Sequence, residues 1–253
     1  MRRAVSVALV LFALTGCSAV RAATGGNHEP GPLVAVLFDV SRSTDDPDVR
    51  ARYLTTFETV LDHVASTHGT VVGDVIDDDP LAHSTFPITA TFVSCDPLRQ
   101  NRLVCDADTA RMRATSVAAA RDILARITGA AGTDIHDGLL LAQRVFDAYP
   151  EAGPHILVLL SDMVERSARL NVARFGADDA SIASTIDGLA AEGLMPDLRG
   201  VDAYVVGAGV SQGGTDMPAD RFLAIQRFWQ AYLSRAGADL PSERYGAALV
   251  RFP

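Results

Sequence analysis

The sequence has 253 residues, of which 48% are hydrophobic and only 6% aromatic, so we expect a globular chain with an aliphatic core. The formal net charge is −9, and all 22 basic residues are arginine. An acidic chain lacks the basic surface used to bind phosphate backbones, which argues against a nucleic-acid partner.

The amino-terminal residues predict export and a lipid anchor. A positive region at residues 2–3 precedes an apolar stretch over 4–14, which is too short for a stable membrane span. The stretch ends on Leu14-Thr15-Gly16-Cys17, which resembles the lipobox of bacterial lipoproteins, whose cysteine is lipidated and becomes the first mature residue. We predict a lipoprotein signal peptide over 1–16, and a lipidated Cys17 with a flexible tether over 17–31. An ordinary signal peptide with an incidental cysteine is the alternative.

The predicted anchor also predicts the location of the protein. Each acyl CH2 that enters a bilayer contributes roughly 0.8 kcal/mol, so two or three chains on Cys17 would hold the protein durably. We therefore expect a lipid-anchored, extracytoplasmic protein on the cell membrane, facing the periplasm or the cell surface.

Beyond residue 31, strand and helix patterns alternate, which predicts one α/β domain over residues 32–253. Leu33–Asp39 and the run from His155 to Asp162 are apolar almost throughout, as in strands buried on both faces of a mainly parallel sheet. The other predicted strands cover residues 70–76, 86–94, 201–207 and 244–252. The predicted helices cover 46–66, a stretch from an Asp106 or Asp108 cap to 127, 135–149, 179–192 and 218–236. We predict a three-layer, doubly wound fold with six strands and helices on both faces.

Two cysteines remain after Cys17. Cys95 and Cys105 form a close pair in a chain predicted to occupy an oxidising compartment, so we predict a disulfide bond. Closing a loop of about eleven residues contributes on the order of 3 kcal/mol in the chain-entropy model.

Oxygen-bearing side chains follow both buried strands. Asp39, Ser41 and Ser43 come directly after the first, and Asp162 ends the second. In open α/β sheets, ligands bind outside the carboxyl ends of the strands, and Thr133 lies in a loop that leads towards the same edge. Oxygen ligands suit a hard cation such as Mg2+, Mn2+ or Ca2+.

These pieces resemble the von Willebrand factor A family, whose metal centre is called the metal-ion-dependent adhesion site. The resemblance rests on Asp39-x-Ser41-x-Ser43, the Gly132-Thr133-Asp134 loop and Leu160-Ser161-Asp162, and it extends over residues 32–252. It implies that Ser41, Ser43 and Thr133 give hydroxyl oxygens to the metal, with Mg2+ preferred over Mn2+ or Ca2+. Asp39 and Asp162 would supply negative charge, directly or through water. An open coordination position would accept an Asp or Glu carboxylate of a protein partner.

The sequence departs from the family at two positions where many members have glycine, here Arg42 and Met163. Together with Asp134 and Arg166, these residues are our candidates for the rim that contacts a partner. Residues 163–178 carry three arginines and are expected to overhang the metal face; a surface loop without a role is the alternative.

An enzymatic function is not predicted. Gly209-Val210-Ser211-Gln212-Gly213 matches a hydrolase nucleophile motif, but the last histidine, His155, precedes it, so the ordered triad cannot be built. The acidic run 77–79 would suit a second cation or a solvated turn. The sequence therefore predicts metal-dependent protein binding, with a solute-binding lipoprotein of a transporter or a metal-free envelope scaffold as alternatives.

Overall fold

A single six-stranded sheet organises the part of the chain that the computed structural model describes, namely residues 30–96, 98, 100–126, 130, 132–172, 178–210 and 217–253. The strands are β1 (Leu33–Asp39), β2 (Thr70–Ile76), β3 (Ile88–Thr91), β4 (His155–Leu160), β5 (Val201–Val206) and β6 (Tyr245–Gly246). Their order in the sheet is β3-β2-β1-β4-β5-β6. All neighbours are parallel except β3, which runs antiparallel to β2 at one edge. The predicted α/β class with a mainly parallel sheet is confirmed.

Six α-helices accompany the sheet in the described residues. They are α1 (Pro47–Ser66), α2 (Pro80–His83), α3 (Arg102–Leu124), α4 (Ile135–Ala148), α5 (Asp179–Ala191) and α6 (Ala219–Ala236). Aspartate side chains cap the amino termini of several helices. The Asp46 side chain, for example, accepts hydrogen bonds from two backbone N–H groups of α1, which begins at a proline. None of these helices is long and apolar enough to cross a membrane.

The core lies against both faces of β1, because successive side chains of a strand point to opposite faces. Leu33, Ala35 and Leu37 belong to a hydrophobic cluster shared with α4, α5 and α6. Val34, Val36 and Phe38 belong to a second cluster shared with α1 and α3. Because both faces are covered, the strand is apolar from Leu33 to Phe38.

The predicted elements differ from the structure near the disulfide and at the carboxyl terminus. Helix α3 begins at Arg102, because the Asn101 side chain accepts the N–H of Leu103 at 2.9 Å; the predicted caps Asp106 and Asp108 lie inside the helix. The last strand is only two residues long, not nine, and α2 was not predicted at all. The predicted disulfide is present, with the Cα atoms of Cys95 and Cys105 6.0 Å apart.

The amino and carboxyl ends of the parallel strands lie on opposite sides of the sheet, and we call these two sides its amino edge and its carboxyl edge. Register pairs Leu33 with Thr70 and with His155, so the amino ends of β1, β2 and β4 lie together at the amino edge. The carboxyl edge lies at the other end of the strands, where Asp39 pairs with Ile76.

Candidate metal site

Asp39 and Ser161 meet at the carboxyl edge. Phe38 pairs with Leu160, so the next residue of each strand lies beside the other. The Ser161 hydroxyl donates a 2.7 Å hydrogen bond to Oδ2 of Asp39, whose side chain is almost fully buried at 1% exposure. The sequence offered Ser161 only as part of a motif, without a role; the structure makes it the residue that fixes the Asp39 carboxylate.

The loop after β1 folds back over the same carboxylate. The backbone N–H of Ser41 donates to Oδ1 of Asp39 at 2.9 Å, and the Thr44 hydroxyl donates to the Asp39 carbonyl at 2.8 Å. This turn brings the hydroxyl oxygens of Ser41 and Ser43 within 3.1 Å of each other. Asp39, Ser41 and Ser43 therefore form one cluster of oxygens.

Asp162 adds a second buried carboxylate. Its side chain is 2% exposed, and Oδ1 accepts the N–H of Val164 at 2.9 Å. Burial, and then the negative charge of Asp39, raise the pKa of Asp162 to about 7, while the Ser43 hydroxyl partly offsets the shift. Burial also raises the pKa of Asp39. Within the described chain neither of these two buried aspartates forms an ion pair with an arginine.

Thr133 is held next to the segment that follows Asp162. Its N–H donates to the Arg166 carbonyl at 3.3 Å, and the Arg166 N–H donates back to the Thr133 carbonyl at 3.0 Å. Thr133 is buried. These bonds bring the Thr133 loop to the carboxyl edge, although its hydrogen bonds connect it to Arg166 and not to either aspartate.

The four rim candidates divide into two pairs. Arg42 and Arg166 are exposed, whereas Met163 and Asp134 are buried, so the prediction that the latter two form an exposed rim is wrong. Asp134 accepts the N–H of Asp137 as the cap of α4. Met163 packs into the core because its carbonyl accepts the indole N–H of Trp229 at 2.9 Å.

The backbone conformation of Met163 explains why glycine would suit this position. Its φ angle is 64°, in the left-handed region that glycine adopts without steric cost. The buried side chain and the Trp229 hydrogen bond hold methionine in that conformation.

Two tyrosines that sequence reasoning missed surround the acidic pair. The hydroxyls of Tyr53 and Tyr245 are buried and have no hydrogen-bond partner among the residues with described positions. Burial raises both pKa values, and the negative charge of Asp162 raises them further. In the sequence, Tyr53 belongs to the apolar face of α1, and nothing in the pattern indicates that it lies near the site.

A buried polar network lies behind the Thr133 loop. Glu165 accepts the backbone N–H of His136 at 3.0 Å, and the His136 ring bonds to the Tyr232 hydroxyl at 2.6 Å. Burial raises the pKa of Glu165 well above its usual range and lowers the pKa of His136. The network links α4 to α6. The sequence did not predict it, because Glu165 is a single acidic residue in an irregular segment.

The acidic run after β2 forms a separate group. Ligand atoms of Asp77, Asp78 and His83 lie within 4.8 Å of one another, and Asp77 Oδ2 lies 2.8 Å from Nδ1 of His83. Asp78 and His83 are exposed. A hydrogen bond to Asp77 raises the pKa of His83. The hydrogen bond between Asp77 and His83 is enough to explain why these side chains lie close together.

Other predicted segments fall partly outside the described residues. Residues 1–29, which carry the predicted signal peptide and Cys17, lie outside them, as do 173–177 and 211–216, which include Ser211 of the nucleophile motif. The described part of the segment after Asp162, up to Val172, has no α-helix or regular strand and buries Leu170 and Val172 against the core.

Comparison with known proteins does not identify a family: no family model and no curated protein matches the chain. A proximal thread matrix protein from the mussel byssus is similar in structure at 15% sequence identity and a TM-score of 0.39, over 83% of this chain and 49% of that one. The pilus adhesin SpaC from Lactobacillus rhamnosus GG is similar at 14% identity and a TM-score of 0.45, over 86% of this chain and 28% of that one. The chain thus spans less than half of either structure, and likeness of this degree identifies no function.

Proposed function

We propose that the chain is an extracytoplasmic lipoprotein that binds a protein partner through a divalent cation at the carboxyl edge. The ligand set is Asp39, Ser41, Ser43, Thr133 and Asp162. The finer architecture belongs to the same proposal: a three-layer, doubly wound domain of the von Willebrand factor A type over residues 32–253.

The buried pair of carboxylates carries the proposal. Burial raises the pKa of both aspartates, and the negative charge of Asp39 raises that of Asp162 further. With no ion pair to either among the described residues, two such carboxylates are unfavourable when both are ionised. A divalent cation between them would offset both the burial cost and the mutual repulsion. The adjacent hydroxyls of Ser41 and Ser43 are hard oxygen ligands, so this donor set fits Mg2+, and Mn2+ or Ca2+ as alternatives.

Different residues of the chain would orient the ligands and attract the partner at this site. The Ser161 and Ser41 hydrogen bonds fix the orientation of the Asp39 carboxylate, and the Thr44 hydroxyl fixes the turn that carries both serines. A bound cation would supply positive charge in an acidic surface and accept a carboxylate from the partner. The exposed Arg42 and Arg166 would add a second attraction for that carboxylate.

Capture from membranes tests this function. The full chain, immobilised in membrane extract with Mg2+, is expected to retain a partner that EDTA releases. Asp39→Ala should retain none, whereas Asp187→Asn, a change at an exposed acid of α5, should behave as wild type. Retention that is equal with EDTA and in Asp39→Ala would contradict the proposal and favour a metal-free scaffold.

A further inference from the structure

The segment 93–105, which we call the apolar tip, concentrates exposed hydrophobic side chains. Of the seven exposed large hydrophobic residues in the described chain, four lie here. They are Val93, Leu98, Leu103 and Val104, with exposures of 69%, 94%, 77% and 57%. The Cys95–Cys105 bond holds these residues in one short closed segment. Several exposed apolar side chains in one place mark an interaction surface, unlike single exposed residues.

The apolar tip extends past the end of α1. Helix α3 runs antiparallel to α1, with Arg121 paired to Glu58 and Arg113 paired to Asp62, but α1 ends only four residues after Asp62. The first seven or so residues of α3 therefore extend past α1, about 10 Å at 1.5 Å per residue. None of the residues described between 93 and 110 is buried, and the Cys95–Cys105 bond fastens the tip to the helix.

The apolar tip lies at the amino edge, where the chain joins the sheet. Antiparallel pairing places Thr91, at the end of β3, opposite Thr70, and the N–H of Phe92 donates to the Gly69 carbonyl at 2.9 Å. At the same edge, the Pro32 carbonyl accepts the N–H of Thr70 at 2.8 Å. The tip and the point where residue 30 leads into β1 thus share one end of the molecule.

We propose that the apolar tip inserts into the surface of the bilayer that holds Cys17; the proposal rests on the lipid anchor in the proposed function. Residue 30 is thirteen positions beyond residue 17, a span of at most about 45 Å when extended. A bilayer held within that distance converts a weak apolar contact into an intramolecular one of high effective concentration. Four clustered apolar side chains on a stapled projection can then remain inserted.

Local charge is compatible with the same occupant. The sequence over 93–105 contains Asp96, Arg99 and Arg102, and Arg102 pairs with Asp106 at 3.8 Å, so this part of the chain is close to neutral although the whole chain has a charge of −9. A near-neutral segment is not repelled by a bilayer with anionic headgroups. Insertion at the amino edge would direct the carboxyl edge, with its candidate metal site, away from the membrane.

Depth-dependent tryptophan quenching tests this docking. The full lipidated chain is reconstituted into phosphatidylethanolamine and phosphatidylglycerol vesicles, with or without brominated acyl chains. Leu98→Trp places a probe in the tip, and Leu223→Trp places a matched exposed probe near the start of α6, at the carboxyl edge. The native Trp229 is fully buried and gives a constant background. We expect a blue shift and a loss of emission with brominated lipid for Leu98→Trp only.

The other outcomes overturn the proposal. Equal quenching of both probes, or none of Leu98→Trp in chains that float with the vesicles, excludes insertion. A blue shift without quenching that grows with protein density indicates contact between copies and also excludes it. A chain that does not float lacks the anchor on which the docking depends. None of these readouts uses metal, so a failure of the metal site is distinguished by Mg2+ calorimetry on the same sample.

Discussion

Asp162→Asn should stabilise the metal-free protein at neutral and alkaline pH. In the folded chain, the pKa of Asp162 rises from 3.8 to about 7. Between these values the folded chain holds a proton that the unfolded chain has lost, so the free energy of unfolding falls as the pH rises through this window. At 1.36 kcal/mol per pKa unit, the cost is fully expressed above pH 7 and amounts to about 4 kcal/mol.

The amide removes this cost and keeps the local geometry. Asparagine retains Oδ1 as the acceptor for the Val164 N–H, and it cannot ionise. In EDTA at pH 8 we expect the variant to exceed wild type by up to about 4 kcal/mol, whereas at pH 5 the same relation predicts only about 2 kcal/mol. Urea denaturation at the two pH values measures both differences.

Asp187→Asn is the control, because it removes a carboxylate from an exposed position of α5. It should leave the stability of the protein within about 0.5 kcal/mol of wild type at both pH values. If Asp162→Asn is no more stable than wild type at pH 8, or if its advantage is the same at pH 5, Asp162 does not have the raised pKa on which this prediction depends.

Three further changes address the ligands and their supports. Ser41→Ala should lower Mg2+ affinity by roughly tenfold while keeping the fold, as measured by calorimetry; unchanged affinity would remove Ser41 from the site. Trp229→Phe removes the donor to the Met163 carbonyl and should cost about 1–3 kcal/mol in urea denaturation, and no loss would mean that this bond does not hold the left-handed turn. Replacing both Cys95 and Cys105 by serine should cost on the order of 3 kcal/mol, and stability equal to wild type would contradict the chain-entropy estimate.

The regular elements could be predicted because their signals are local. Continuous apolar runs identified β1 and β4, and a capping aspartate before a proline identified the start of α1. The oxygen-bearing residues after β1 and β4 were predicted to converge, and register places Asp39 beside Ser161. That part of the site follows from parallel strands ending at one edge.

What could not be predicted depends on contacts across the fold. Asn101 competes with Asp106 and Asp108 as a cap, and sequence alone gave no reason to prefer it. Met163 was expected at the rim, but the Trp229 hydrogen bond, made from a helix 66 residues away, fixes its buried turn. Tyr53 lies near the acidic pair because its hydroxyl packs against Gly207, which follows β5 and leaves no room there for a Cβ atom.

Calorimetric titration of Mg2+ into the metal-free full chain tests the central claim most directly. We expect saturable binding of one ion per chain, which Asp39→Asn abolishes and Asp187→Asn preserves. Proton release should accompany binding near pH 7, because the cation favours the ionised form of Asp162. Absence of binding in wild type, or the same affinity in Asp39→Asn, would contradict a cation site at the carboxyl edge.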